Sequence, residues 1–248
     1  MIVLHSENEI ELIAESARIV GLILNELEKI IKPGMTTEDI DKKIEEMIYS
    51  YGGKPAFKGY RGYPASSCIS IDEVVVHGIP GNQVIKEGQI VTIDIGVEKG
   101  EYFGDSCKTF KIGDVDSLKE KLVEVTEKAM YIGIEKCLAG GRLHDASHAI
   151  QKYVESNGFS VVRDMVGHGI GKQLHMDPPV PHYGKAGTGP ELKNGMVFCV
   201  EPMVNAGTYE IEILEDKWTA VTIDKKPSAQ FEHTIAIINN KPRILSEV

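Results

Sequence analysis

No apolar run in this 248-residue sequence is long enough to cross a bilayer. The longest aliphatic stretch, Ile19-Val20-Gly21-Leu22-Ile23-Leu24, falls far short of the ~20 residues that a membrane helix needs. The opening Met1-Ile2-Val3-Leu4-His5-Ser6-Glu7 lacks the basic and apolar regions of a signal peptide, so a cytoplasmic location is expected. Cysteine is scarce. The four residues, at 68, 107, 137 and 199, form no CxxC pair, which excludes a zinc knuckle and a thioredoxin-like redox site. Cys107 and Cys199 lie in strand-like runs and read as small core residues. Lysine and arginine form no block, and the net charge of −10 argues against a nucleic-acid footprint. Gly167-His168-Gly169-Ile170-Gly171 is neither GxGxxG nor part of a P-loop, so its glycines read as aids to close backbone approach. No Pro/Ser-rich linker divides the chain, so residues 1–248 are expected to form one domain.

What is present reads first as helices. Ser6-Glu7-Asn8-Glu9 is a capping box that opens a long helix. Ile10, Ile13, Ala17, Val20, Leu24, Leu27 and Ile31 recur at three and four, making one apolar stripe that Lys32-Pro33-Gly34 ends. A second helix starts at Thr36 or Thr37 and runs to about Ser50. Strand-rich segments follow from about 65 to 112. Ser117-Leu118-Lys119-Glu120 reads as another capping box, with a helix to Gly140-Gly141. A further helix covers about 144–156, and 159–248 reads as strands and loops. The order helix, helix, strands thus occurs twice, in halves of about 1–115 and 116–248. Helices collected apart from mostly antiparallel strands predict an α+β fold.

Four carboxylates and one imidazole stand among apolar or glycine neighbours: Asp94, Asp105, His168, Glu201 and Glu232. Together they would make an oxygen-rich cage for two divalent cations, suited to metal-assisted hydrolysis. Within Gln89–Val97, alternation puts Val91, Ile93, Ile95 and Val97 on one strand face and Asp94 on the other. A two-residue loop of Lys99 and Gly100 would place Asp94 directly opposite Asp105, with Cβ atoms roughly 5 Å apart. Like charges so placed repel, and a shared cation relieves the repulsion. Taken alone, the pair reads equally well as two exposed acids on a solvated sheet face. Of the eight histidines, His5, His144, His148, His182 and His233 read as structural or surface residues. His144 and His148 have metal-binding spacing, but Asp145 stands where HExxH needs glutamate, so they read as a solvated helix face. Trp218, the one tryptophan, is by default a core or surface aromatic.

Val76-His77-Gly78-Ile79-Pro80, Ile93-Asp94-Ile95-Gly96, Gly104-Asp105-Ser106, Gly167–Gly171, Glu201-Pro202 and Gln230-Phe231-Glu232-His233-Thr234 form an ordered series. In order and spacing it resembles that of the type I, bacterial kind of methionine aminopeptidase, from the first helix to about Ile238. The resemblance implies the pita-bread fold, two pseudo-symmetric halves with the active site between them. It implies that Asp105 and Glu232 bridge two metal ions, that Asp94 completes one site, and that His168 with Glu201 completes the other. The ions could be cobalt, manganese, iron or zinc, since hard carboxylates with one imidazole do not choose among them. Glu201 would also take the proton from the attacking water, His175 would assist the oxyanion, and His77 would bond the scissile amide. Tyr60, Tyr63, Cys68 and Trp218 match positions lining the methionine pocket. Phe57 stands where some relatives carry cysteine, and Leu174 replaces a frequent aromatic.

The activity so implied is removal of the N-terminal methionine from nascent polypeptides when the second residue is small. The enzyme would be a monomer that meets its substrates at the ribosome, with no membrane or nucleic-acid partner. Two rivals share the fold. An Xaa-Pro metallopeptidase usually carries a large additional N-terminal domain, whereas this sequence begins directly with the first helix. A non-catalytic peptide-binding relative loses metal ligands, whereas all five stand here beside both substrate histidines.

Overall fold

The computed structural model describes residues 1–248. Helix α1 (Glu7–Ile30) starts as its capping box requires. Ser6 Oγ accepts from the Glu9 amide at 3.4 Å, and Glu9 Oε2 accepts from the Ser6 amide at 2.9 Å. The stripe from Ile10 to Leu27 is buried, and Ile31 packs half-buried at its end. Helix α2 (Thr37–Ser50) is capped in the same reciprocal way by Thr36 and Asp39. Five strands follow: β1 (Lys54–Pro55), β2 (Cys68–Ile71), β3 (Val74–Val76), β4 (Ile90–Lys99) and β5 (Tyr102–Lys111). Then come helices α3 (Ser117–Ile134) and α4 (Leu143–Ser156). The remaining strands are β6 (Ser160–Val161), β7 (Gly167–Gly169), β8 (Met176–Val180), β9 (Val197–Val200) and β10 (Met203–Asn205). They continue with β11 (Ile211–Ile213), β12 (Ala220–Thr222), β13 (Ser228–Gln230), β14 (His233–Ile238) and β15 (Lys241–Ile244).

Every strand pairing is antiparallel, as the α+β reading requires. In the first sheet β4 pairs with β1, β2 and β5. The largest sheet runs β15-β14-β9-β7-β8. Two three-stranded sheets, β13-β10-β6 and β11-β12-β3, link them, and β3 crosses from the early strands to pair with β12. Helices α1 and α2 cover Val91, Ile93, Ile95 and Val97 of β4 in one apolar core. Helices α3 and α4 cover β9, β10, β13 and β14 in another, around Phe198 and Ile235. None of the helices is long and apolar enough to cross a membrane.

Three local expectations need correction. The β4–β5 loop is Gly100-Glu101, not Lys99-Gly100, because Lys99 pairs with Tyr102. Both loop residues have positive φ, 60° and 67°, the turn form whose twist matches a hairpin. Asp94 therefore faces Cys107 and Asp105 faces Gly96, so the two acids are diagonal neighbours rather than directly opposed. Sliding the loop by one residue moves the register by two, so both still point to the same sheet face. Secondly, Asp116 and not Ser117 caps α3. Its extended backbone (φ −67°, ψ 160°) lets the carboxylate accept from the Lys119 amide at 3.0 Å, with its charge at the positive helix end. Thirdly, α3 ends at Ile134 rather than at Gly140. There the chain tightens into three-residue turns, and Cys137 is buried with its thiol donating to the Gly133 carbonyl at 3.4 Å.

Candidate metal centre and active-site cavity

Both sets of strands deliver acids to one buried floor. Asp94 and Asp105 come from the β4–β5 hairpin. His168 is the middle residue of β7, Glu201 follows β9 directly, and Glu232 links β13 to β14. β7 and β14 flank β9, pairing Gly169 with Phe198 and His233 with Val200, which sets His168, Glu201 and Glu232 side by side. The glycines around His168 permit this. A Cβ on Gly167 would lie 2.5 Å from the Cys199 carbonyl, and one on Gly169 would lie 2.1 Å from the Asp177 carbonyl.

β5 belongs to a different sheet and is joined to this group by hydroxyl side chains. Thr234 Oγ1 donates to the Asp105 carbonyl at 2.7 Å and accepts from the Asp105 amide at 3.1 Å. Ser106 Oγ donates to the Glu232 carbonyl, and the Glu232 amide donates to the Cys107 carbonyl at 3.0 Å. Thr109 Oγ1 donates to the Gln230 carbonyl at 2.7 Å. The acids of the two halves are thus held by backbone contacts that do not consume their carboxylates.

The carboxylates themselves are short of partners. Asp94 Oδ1, Asp105 Oδ1, Glu201 Oε1 and Glu232 Oε1 are buried without a hydrogen bond. Buried acceptors are ordinarily satisfied, so four orphaned acid oxygens on one floor point to cations. His168 Nε2 lies 3.8 Å from Asp105 Oδ2 and 3.7 Å from Glu201 Oε1, gaps that one ion with ligands at ~2.1 Å can span. His168 Nδ1 donates to the Gly169 carbonyl at 3.1 Å, which leaves Nε2 bare for a metal. Burial, and then mutual repulsion, pushes the carboxyls of Asp105, Glu201 and Glu232 well above the ordinary range; burial raises Asp94 too. A bound cation would reverse that preference and hold them ionised. Cys199 also comes within ligand range of Asp105, His168 and Glu232, but burial raises its pKa and keeps it a thiol.

Above the floor opens a cavity of about 300 Å³. Its wall contains all twelve residues singled out in the sequence: the five ligand candidates, His77 and His175, and Phe57, Tyr60, Tyr63, Cys68 and Trp218. Trp218 meets the Tyr63 ring edge-on at 5.1 Å and the His77 ring at 6.2 Å. His77 directly follows β3 in the left-handed region (φ 59°), an uncommon state for histidine, held here where the ring enters the cavity. His175 lies beside His168, with ring centroids 4.2 Å apart. Burial lowers the pKa of all three imidazoles, to about 4 for His168 and about 3 for His175, so they are neutral near pH 7.

The sequence left some contributors unassigned. Gln230 is buried in the cavity wall and its amide nitrogen donates to Glu201 Oε2 at 3.1 Å. Glu201 Oε1 is therefore the free oxygen. His182 is structural, but it lies under the site: its Nε2 accepts from the Glu201 amide at 3.0 Å. Only the motif around Glu232 hinted at Gln230, and nothing local marked His182. Arg61, Asp164, Met165 and Val166 complete the cavity's mouth, together with Val76 and Met203 deeper in. Outside the cavity, His148 is exposed and His144 half-buried on the outer face of α4, in keeping with a solvated helix face. They hydrogen-bond Thr188 and the Gly184 carbonyl of a neighbouring loop.

The profile of metallopeptidase family M24 matches residues 11–239. This chain belongs to that family. It is 49% identical over 246 residues to the methionine aminopeptidase of Clostridium perfringens, covering 99% of both chains. The crystal structure of methionine aminopeptidase from Thermotoga maritima superposes with a TM-score of 0.98 at 43% identity, covering 100% of both chains. Prolidase from Pyrococcus furiosus shares the fold alone, with a TM-score of 0.80 at 21% identity over 99% of this chain and 66% of that one. The M24 chain thus has the pita-bread fold, and Asp105, His168 and Glu232, with Cys199, form a buried cluster of potential metal ligands.

Proposed function

We propose that this M24 metallopeptidase removes the N-terminal methionine from polypeptides whose second residue is small. The observation that carries the reading is the floor: four orphaned acid oxygens and a bare imidazole nitrogen beneath a largely apolar cavity. Asp94, Asp105, His168, Glu201 and Glu232 would hold two divalent ions, for which cobalt, manganese, iron and zinc all suit the donors. When bound, such ions supply Lewis acidity toward the scissile carbonyl and lower the pKa of water.

The chain's own residues do the rest. Glu201, with Oε2 held by Gln230, presents Oε1 to accept the proton of the attacking water. His175, neutral and at the cavity wall, donates a hydrogen bond to the carbonyl oxygen as charge grows there. His77 bonds the scissile amide and assists protonation of the leaving nitrogen. Phe57, Tyr63, Cys68 and Trp218 offer an apolar wall to an unbranched thioether side chain. The 248 residues act as one catalytic unit, with the cage shared between halves of about 1–115 and 116–248. The cytoplasm, with nascent chains as substrates, fits this activity.

The deciding assay is hydrolysis of Met-Ala-Ser against Ala-Pro and other Xaa-Pro peptides, with and without chelator and added metal. Metal-dependent release of methionine alone is expected. Preferential cleavage of the Xaa-Pro peptides would transfer the chain to the prolidase-like activity, and inertness toward both would leave a binding protein.

A further inference from the structure

A neutral imidazole carries one proton, and its hydrogen-bond partner decides on which nitrogen. His168 and His175 lie 4.2 Å apart but have different partners: a carbonyl, which can only accept, and a hydroxyl, which can also donate. At His168 the partner of Nδ1 is the Gly169 carbonyl, at 3.1 Å, which can only accept. The proton is fixed on Nδ1, and Nε2 is bare for a cation. At His175 the partner of Nδ1 is the Tyr60 hydroxyl, at 3.0 Å, which can donate. If His175 copied its neighbour's tautomer, its bare Nε2 would meet a developing oxyanion with a lone pair, which repels it.

We propose that Tyr60 is a positioning residue: its hydroxyl donates to Nδ1 of His175 and thereby keeps the imidazole proton on Nε2. This goes beyond a place in the methionine pocket wall, and it rests on the reading of His175 as a hydrogen-bond donor to substrate.

The local backbone is built for that task. Tyr60 sits in a knot where Gly59, Arg61 and Gly62 all have positive φ, at 86°, 49° and 88°. The Tyr60 amide donates to the Phe57 carbonyl at 2.9 Å, and the Gly59 amide donates to the Tyr63 carbonyl at 2.8 Å. The Tyr60 ring then stacks on His175, with centroids 5.2 Å apart and planes within 23°. Arg61 covers the tyrosine ring with its guanidinium carbon 5.3 Å from the centroid. Stacking fixes the imidazole plane, and the hydroxyl fixes its proton.

Tyr60→Phe removes the hydroxyl and keeps the stack. In this variant kcat for Met-Ala-Ser should fall about tenfold while KM stays within about twofold, since losing a whole transition-state donor costs 10²–10³ and only the tautomer is loosened here. The direct readout is nitrogen–proton correlation NMR on histidine-labelled, zinc-loaded protein. The wild type should show His175 protonated on Nε2, and Tyr60→Phe should show an Nδ1-protonated fraction. An unchanged kcat, a rise in KM alone, or a wild-type His175 bare at Nε2 would each overturn the assignment. His175→Ala separates the two levels: if that variant keeps its kcat, the donor role of His175 fails, whatever Tyr60 does.

Discussion

The floor and the mouth of the cavity are built by different means. On the floor, the ligand candidates sit on or directly beside strands, and hydroxyls from Thr234, Ser106 and Thr109 lock the backbones together. Asp105 is 3% exposed and Glu232 2%, so neither has solvent to absorb a change. At the mouth, Tyr60 stands on a short knot of left-handed residues, and His175 lies on the connection between β7 and β8. Contacts there are stacks and single hydrogen bonds. Substitutions on the floor should therefore be all-or-none, whereas those at the mouth should be graded.

Metal removal is the harshest test of the floor. Exhaustive chelation should abolish hydrolysis and lower the melting temperature by several degrees. Loss of ligands present at 100-fold their Kd removes about 2.7 kcal/mol of stabilisation, and each kcal/mol shifts Tm by about 2–4 °C at this size. The pH dependence of the apo protein follows from the raised carboxyl pKa values. A carboxyl that binds its proton more tightly folded than unfolded stabilises the fold below its unfolded pKa, about 4. That stabilisation is lost as pH rises through the folded value. Apo protein should therefore lose Tm, relative to the metal-loaded form, as pH rises from about 4 toward the folded value of Asp94, about 7. Melting curves that coincide in proven apo and loaded samples would contradict the clustered-acid floor.

Glu201→Gln comes next. The amide keeps the shape but supplies neither the anionic ligand nor the proton acceptor, so kcat should drop by about a thousandfold or more. Circular dichroism should be unchanged, because His182 still holds residue 201 through its backbone amide. Substantial turnover in a metal-loaded variant would remove Glu201 from the proposed chemistry.

The two histidines at the mouth come next in expected effect. His175→Ala should cost about a hundredfold in kcat through lost oxyanion stabilisation. His77→Ala should also slow amide hydrolysis, but an ester analogue, whose leaving group needs less protonation, should be partly spared in that variant only. Equal rescue of both by the ester would show that their roles are wrongly divided.

Much of this contrast was legible in the sequence. Capping boxes and a three-four apolar stripe specify α1 and α2 locally, and the acids stand out as charges inside strand patterns. The β4–β5 register was missed by two because the turn demands positive φ at both loop residues, and Glu101 supplies one without being glycine. The facing survived because the side-chain period along a strand is also two. His182 and the hydroxyls that bind β5 to Glu232 gave no local signal, since their partners are distant in the chain. Thr234 and Asp105, for example, are 129 residues apart. The mouth was legible only through motif resemblance, because its geometry depends on Arg61 and His77 adopting backbone states that their residue types do not announce.

The mildest effect belongs to the apolar wall. Phe57 is 8% exposed, and its ring lies against Gly96 on β4, where a Cβ would come within 2.5 Å of it. It lines the cavity but touches none of the orphaned acid oxygens through hydrogen bonds. Phe57→Leu removes part of the wall while keeping an apolar surface. A loosely filled pocket loses contacts in the ground state and the transition state alike. KM for methionyl peptides should therefore rise a few-fold, with kcat held within about twofold. Discrimination between methionine and leucine at the N-terminus should relax by a similar factor, in keeping with the 1–3 kcal/mol that a methylene-sized misfit carries. Steady-state kinetics on paired methionyl and leucyl peptides resolve both terms. If kcat instead fell a hundredfold with KM unchanged, the wall would be coupled to the metal-bearing floor as tightly as Glu201, and the division between rigid floor and graded mouth would not hold.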